Sequence, residues 1–541
     1  MSIEQNPPHA MQGPQGSPPT EMLFGHPKGL FVCFFTEMWE RFSFYGMKAL
    51  LFLYLIKYHL FTDEFGYNVI GAYGALVYAM PVVGGLLADR YIGMRKAVIF
   101  GGVLLVLGHL GMAFEGHQAV IVAGEIQRDE QALQVFYLSL ALIIVGVGFL
   151  KPNISTIVGQ LYPKSSAKRD SGFTIFYAGI NLGATLAPLI CAYLGETYGW
   201  KYGFGLAGLG MLAGLLVFIR GKKHLQGFAE PRDPARILKK TAGITTEQWI
   251  YLSAIGSVII VWGLIQTHSL VLSISSLLPA VSPVIWFLHS VSLVLALGIG
   301  WFMVKHCNPI ERQQMSALLL FIVAGLVFFG LYEQTYGSWV AFSDRVMDRN
   351  MLGLEWSAGQ LTFLGAFFVI SLSPIFAWLW PALARKNCDL SKPVKTALGI
   401  LFAGLSFMVL VLGIQMPLSS GLVSIWFLVA AYFVLEIGEL LLSPIGLSAV
   451  TQLSVKRVVS LMMGARFLGT SYSEILAAEL NKLAAIDTQG GVISDVPSAM
   501  ALYEQLFIFS AQIGVVMALV FFALAPLMKK MMHEKMATNS V

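Results

Sequence analysis

Residues 31–56 read FVCFFTEMWERFSFYGMKALLFLYLI, an apolar run that nevertheless carries Glu37, Glu40, Arg41 and Lys48. A helix rising 1.5 Å per residue needs roughly 20 apolar residues to cross the hydrocarbon of a bilayer, and this run is long enough. At 100° per residue Glu37, Glu40, Arg41, Tyr45 and Lys48 fall within an arc of roughly 140°, so they share one face. An ionised group at mid-bilayer costs about 2.5–3.5 kcal/mol on insertion scales. That face must therefore meet partner charges or a water-filled cavity inside a bundle.

Working outward, the 541-residue chain is 56% hydrophobic and only 12% charged, too little polar surface to coat a water-soluble body of that size. Apolar runs recur near 30 to 57, 69 to 88, 96 to 114, 136 to 158, 172 to 194 and 202 to 219. A polar, basic stretch, Arg220 to Thr246, follows with Lys222, Lys223, Arg232, Arg236, Lys239 and Lys240. Two further runs lie near 249 to 270 and 284 to 304, then six more near 315 to 337, 359 to 383, 396 to 413, 423 to 446, 460 to 481 and 504 to 528, for 14 in all. The fold class expected is an all-α polytopic membrane protein of two six-helix bundles plus two extra transmembrane helices, the arrangement of the major facilitator superfamily.

With both termini in the cytoplasm, about 25 of the 35 lysines and arginines fall in inside loops and tails, and the opposite orientation would break the positive-inside rule. The organisation expected is a disordered cytoplasmic tail over 1–24, an N-terminal six-helix bundle over 25–220, a basic cytoplasmic linker over 221–248, the inserted helix pair over 249–304, a C-terminal six-helix bundle over 305–530 and a cytoplasmic tail over 531–541. Residues Met1 to about Phe24 are rich in proline and polar residues, with no basic segment leading into a short apolar core, so a cleaved signal peptide is not expected. The formal charge of +5 is read as loop charge facing a membrane, not as a nucleic-acid surface. Cys33, Cys191, Cys307 and Cys388 lack disulfide or metal spacing and read as apolar fillers and loop residues.

Buried ionisable groups recur in a pattern. Beside the cluster at the start stand Lys151 near 136 to 158, Glu333 and Gln334 near 315 to 337, and Glu436 and Glu439 near 423 to 446. These spans open the four three-helix repeats of such a fold, so related positions would surround one central cavity. Lys151 precedes Pro152, which removes a helix hydrogen bond and favours a bend. Gly85 to Lys96 brings an acid and bases, Asp89 and Arg90 among them, to the cytoplasmic mouth as a structural latch. Glu474 and Glu479, farther toward the outer end of their span, are expected to face water or a loop and not the main site.

The run Glu37-Met38-Trp39-Glu40-Arg41-Phe42-Ser43-Phe44-Tyr45-Gly46 closely resembles the E-x-x-E-R-F-x-Y-Y-G signature of the proton-dependent oligopeptide transporter family, a branch of the major facilitators. Phe176 to Gly183 is similar to that family's F-Y-x-x-I-N-x-G element, Phe149 to Asn153 to its fourth-helix motif, and Gly438 to Pro444 to its tenth-helix motif. The resemblance covers the whole membrane region, the inserted pair being similar to that of bacterial members. It implies symport of protons with di- and tripeptides by alternating access, in a monomeric protein of the cell inner membrane.

By the same resemblance Glu37, Glu40, Arg41, Lys151 and Glu333 couple protons, and Arg41, Lys151 and Asn181 face the peptide carboxylate. Glu439 holds the peptide ammonium, Tyr45 and Tyr78 line the pocket, and Arg466 and Thr470 complete the substrate residues. Lys48 pairs with Glu333 at the outer gate, with Asp89 and Arg90 at the other mouth. No cofactor and no metal are implied.

Three positions depart from the family pattern. Phe44 stands where a tyrosine is usual, Gly365 where an asparagine is common, and Arg466 where a tryptophan borders the pocket. Arg466, a permanent cation, either pairs with Glu439, Glu333 or the substrate, or runs along its helix to a polar edge. The alternative function is therefore a facilitator of another small anionic or zwitterionic solute. An intramembrane enzyme would need a nucleophile with its base or a clustered metal site, and the scattered histidines, such as His109 and His268, supply neither.

Overall fold

The computed structural model describes residues 21–162, 168–231, 233–266, 283–386, 389–486, 488 and 493–533. Most of the expected tails, Cys388 and His268 lie outside the described residues. Fourteen long helices run through the rest. The first six are α1 (Lys28–Leu53), α2 (Asp63–Leu87), α3 (Met94–Met112), α4 (Glu130–Gln160), α5 (Lys168–Ala187) and α6 (Trp200–Arg220). Then come α7 (Thr246–Gln266) and α8 (Pro283–His306), followed by α9 (Pro309–Tyr332), α10 (Phe363–Arg385), α11 (Lys392–Gln415), α12 (Ile425–Leu453), α13 (Val459–Lys482) and α14 (Val496–Met532). Among the described residues, 11 helices are long and apolar enough to cross a membrane by length and composition, and α1, α8 and α13 complete the set. The protein is a multi-pass membrane protein of two six-helix bundles with an inserted pair between them.

Helix boundaries follow local chemistry. Thr62 caps α2 by accepting from Phe65 N, with Asp63 and Glu64 in the first turn where the helix dipole favours carboxylates. Asn308 and Glu311 form a reciprocal capping box at the start of α9, with Pro309 at the first helical position. α5 passes at Pro188 into a π-helical turn, Pro188–Ala192, and resumes as the short helix Tyr193–Tyr198. The run around Glu333 is not straight helix: α9 ends at Tyr332, and Glu333–Tyr336 forms a 3-10 turn before the short helix Ser338–Arg345. That break aims Glu333 away from the axis of α9.

Small residues let the helices close. A Cβ on Gly84 of α2 would stand 2.0 Å from the Gly148 carbonyl of α4, and one on Gly514 of α14 would stand 2.4 Å from Gly404 Cα of α11. Backbones so close need glycine, the usual means of helix association in lipid. The inserted helices sit at the periphery. α7 lies against α4 through Trp262 Nε1, which donates to the Gln134 carbonyl at 3.2 Å, while His289 of α8 stacks on Tyr472 of α13. The pair thus touches both bundles, and side chains such as Ile260, Val294 and Leu297 are left open on its outer faces.

Candidate functional site

The face of α1 identified above is buried. Glu37, Glu40, Arg41 and Lys48 are each at most 4% exposed. Arg41 grips the carboxylate of Glu40 through Nε and through Nη2, the latter at 2.5 Å, and its Nε lies 3.4 Å from Glu37 Oε1. Phe44 is the hub of this region: the cations of Arg41, Lys48 and Lys151 stand 5.0, 5.8 and 5.9 Å from its ring centre. An aromatic face shared by three cations offsets part of their mutual repulsion. Lys151, on α4 beside Pro152, also lies 4.3 Å over the ring of Tyr78 and forms no ion pair among the described residues.

Lys48 joins the two bundles. Its ammonium donates to Glu333 Oε2 at 2.7 Å and to Glu474 Oε1 at 2.8 Å, over the ring of Tyr336 at 4.8 Å. The pairing with Glu333 agrees with the sequence reading. Glu474 corrects it: this residue of α13 is 2% exposed and belongs to the interior, not to water or a loop. Polar residues such as Ser460, Thr470, Ser473 and Glu479 are spread around that helix, so its sequence alone does not say which side is buried. Glu479 instead pairs with Lys482 on its own helix at 2.6 Å.

Across the chamber, Tyr45 stacks on Tyr336 with ring centres 6.1 Å apart, and its charged neighbours are Arg41, Glu333, Lys48 and Glu439. Ser443 Oγ donates to Glu439 Oε1 at 3.5 Å. Glu436, one turn away, is fully buried. A Cβ on Gly365 would lie 3.0 Å from Glu436 Oε1 and 3.4 Å from the Tyr332 hydroxyl, so the glycine leaves room for that carboxyl and a side chain there would shift it by a few tenths of an ångström. Asn181 of α5 spends its amide on the Tyr177 carbonyl at 3.0 Å, and Tyr177 in turn neighbours Glu439 and Tyr45. Residues of α1, α4, α5, α9 and α12 thus border one interior space.

Arg466 and Thr470 lie one turn apart on α13, where Thr470 Oγ1 donates to the Arg466 carbonyl at 3.4 Å. Neither Glu439 nor Glu333 pairs with Arg466, whose guanidinium faces a pocket inside the C-terminal bundle. Asp89 and Arg90 are exposed at the end of α2 and form no ion pair among the described residues. The ties at that mouth run instead from Arg95 to Glu230 at 2.5 Å and from Lys96 to Glu247 at 2.6 Å. Cys33, Cys191 and Cys307 are buried and free, and His109 is buried with neither ring nitrogen bonded. Among the described residues no three ligating side chains cluster to hold a metal.

Sequence reasoning missed a second set of ties between the bundles. Arg345 holds Asp63 bidentately, both distances 2.6 Å, and Asp63 also accepts from Ile486 N at 3.0 Å. Glu196 accepts from Ser357 Oγ at 2.7 Å and Gly359 N at 2.9 Å, and Lys57 meets Asp344 at 2.6 Å. With the Lys48 knot these seal one end of the molecule. Nothing in the sequence marked them, because each partner sits at a helix end, where a charge is ordinarily solvated.

The chain matches the PTR2 family model, described as POT family, over residues 95–493. It is 35% identical over 521 residues to the uncharacterized transporter YclF of Bacillus subtilis (strain 168), covering 95% of this chain and 97% of that one. To the di-/tripeptide transporter of Lactococcus lactis subsp. lactis it is 32% identical over 478 residues, covering 85% and 90%. Among solved structures it is similar to a mutant of a peptide transporter POT in complex with alafosfalin, with a TM-score of 0.74, 33% identity and coverage of 95% and 97%. A POT family transporter in complex with 5-aminolevulinic acid gives a TM-score of 0.77 at 26% identity, covering 95% and 99%. Matched along nearly its whole length by transporters and not by enzymes, this chain belongs to the POT family.

Proposed function

We propose that this protein is a proton-coupled symporter that imports di- and tripeptides by alternating access across the inner membrane, as a monomer with both termini in the cytoplasm. The single observation that carries the reading is the division of charge around the chamber. Cations Arg41 and Lys151 come from the N-terminal bundle and carboxylates Glu436 and Glu439 from the C-terminal one, with Tyr45 between. A zwitterionic peptide has the complementary arrangement, its carboxylate suiting Lys151 and Arg41 and its ammonium suiting Glu439.

Coupling follows from what already occupies Arg41. Glu40 and Glu37 neutralise its guanidinium in the present state. A proton delivered to Glu40, which holds Arg41 through two nitrogens, leaves only the longer Glu37 contact and makes the guanidinium available to a peptide carboxylate, so proton and peptide enter together. The distribution of basic residues supports reading the end sealed by Lys48, Asp63 and Glu196 as the outside, so that this arrangement is closed to the outside. Release of Lys48 requires two carboxylates, Glu333 and Glu474, to give up one ammonium. Protonating Glu333 alone leaves Glu474 still bound, so the peptide or a second proton completes the opening.

The test is electrogenic dialanine uptake by the purified protein in proteoliposomes under an imposed pH gradient, acid outside. Accumulation that collapses with a protonophore is expected. Uptake indifferent to the gradient, or absent for every peptide offered, refutes the reading.

A further inference from the structure

Two cations of the interior, Lys151 and Arg466, have no carboxylate partner among the described residues, whereas Arg41 and Lys48 have two each. Both unpaired cations border Tyr78 of α2: the Lys151 ammonium lies 4.3 Å over its ring, and Tyr78 is the titratable neighbour of Arg466. A guanidinium cannot shed its charge, so an unpaired one away from water is costly unless something fills the gap.

The surroundings of Arg466 are shaped for an anion. Its guanidinium lies beside Gly446 of α12, where a Cβ would come within 3.3 Å of Nη2. Thr396 of α11 lines the same pocket, is 1% exposed, and its Oγ1 has no hydrogen-bond partner. A buried idle hydroxyl and an unpaired guanidinium lining one pocket are two donors for which the chain supplies no acceptor there. Phe321, Leu326 and Leu442 complete the wall, an apolar lining compatible with the methylene stem of an acidic side chain.

Helix phase connects this pocket to the chamber. Arg466, Thr470 and Glu474 fall within about 80° on α13, with Glu474 about 12 Å along the axis at the Lys48 knot. On α12, Gly446 lies seven residues from Glu439, nearly in phase and about 10 Å along. Arg466 and Gly446 therefore lie on the same sides of α13 and α12 as the chamber residues Glu474 and Glu439, farther from the sealed end.

The geometry points to a second anion subsite, in which Arg466 and Thr396 receive the acidic side chain of a peptide whose backbone is held in the chamber, so that the transporter favours peptides carrying aspartate or glutamate. This rests on the peptide reading above. Two unpaired cations then serve the two carboxylates of such a ligand, one each.

The experiment measures inhibition of dialanine uptake in proteoliposomes by Ala-Glu, Ala-Asp, Ala-Gln and Ala-Lys. For the wild-type protein the half-inhibiting concentration of Ala-Glu is expected to be at least about tenfold below that of Ala-Gln, the size of one charge-assisted hydrogen bond. Arg466→Gln should bring that ratio to within roughly twofold of one, and Thr396→Val should lower it roughly threefold. Equal inhibition by Ala-Glu and Ala-Gln, or a preference that survives Arg466→Gln, overturns the subsite while leaving peptide transport standing. If Arg466→Gln fails to insert, the wild-type ratio and Thr396→Val decide alone: a preference that Thr396→Val leaves unchanged also overturns it. Wild-type protein that takes up no peptide at all defeats the peptide reading and the subsite with it.

Discussion

Lys48 meets α13 at Glu474, eight residues along that helix from Arg466, and the protein treats the two cations in opposite ways. Lys48 is 2% exposed and held by two carboxylates of the opposite bundle, at 2.7 and 2.8 Å, with an aromatic ring beneath. Arg466 faces an idle hydroxyl and apolar walls. The same contrast separates Arg41, saturated by Glu40 and Glu37, from Lys151, which rests on the rings of Phe44 and Tyr78. Saturated cations hold helices or gates in place; unsaturated ones are where a ligand's charge is supplied from outside.

The contrast breaks first at Lys48. Lys48→Met leaves Glu333 and Glu474 facing each other in the interior without a cation, and removing one member of a buried ion cluster costs about 3–5 kcal/mol. A large fall in the melting temperature of the detergent-solubilised protein is expected, together with loss of gradient-driven uptake. Adding Glu333→Gln and Glu474→Gln should restore much of the stability and none of the coupling. A melting temperature unmoved by Lys48→Met would mean that the knot closes nothing.

Asp63→Asn tests whether the second tie behaves as the first. Arg345 would keep only the Tyr503 hydroxyl at 3.2 Å and a weakened amide contact, a loss of roughly 3 kcal/mol. Pairing the change with Arg345→Gln should cost less than the sum of the two single changes, and the thermal shifts of the four proteins measure that coupling. Additive shifts would show that the pair does not hold the bundles together.

Phe44 sharpens the comparison among the cations that surround it. Phe44→Leu keeps an apolar filler but removes the ring shared by Arg41, Lys48 and Lys151, worth about 1 kcal/mol. The Michaelis constant for dialanine is expected to rise several-fold with little change in melting temperature. A variant indistinguishable from wild type would reduce Phe44 to packing.

How much of this was legible in the sequence depends on whether a feature is local. Apolar runs fix the spans because crossing hydrocarbon is a property of one segment, and helix periodicity placed Glu37, Glu40, Arg41 and Lys48 on one face. Boundaries slipped where the backbone departs from α-helix: the run read as continuing to 337 ends at Tyr332 and turns at Glu333. Glu474 was misplaced because α13 carries polar groups around its circumference. Asp63–Arg345 and Glu196–Ser357 stayed invisible because pairing across 282 and 161 residues is a property of two bundles packed together. Gly365 looked like a missing asparagine until the carboxyl of Glu436 was found in the space it vacates.

The smallest effect expected is at the opposite mouth, where the tie is wet. Arg95 bonds Glu230 in the linker at 2.5 and 3.0 Å, and that hydrogen-bonded charge holds the Glu230 carboxyl below its ordinary value of 4.5. A carboxyl whose value is lowered by folding contributes fully above 4.5 and loses its contribution as the pH falls through the lowered value. Glu230 is 37% exposed in its side chain, so screening keeps the contribution to under about 1 kcal/mol, and salt reduces it further. Hydrogen exchange over residues 221–248 should therefore speed up slightly on going from pH 7 to pH 4, after correction for the intrinsic rate, or on adding salt, and Glu230→Gln should weaken both responses. The Lys48 knot, dry and doubly paired, should not respond to salt at all. If salt loosens both equally, burial is not what distinguishes the two ends, and the difference between sealed and open mouths must be sought in helix packing.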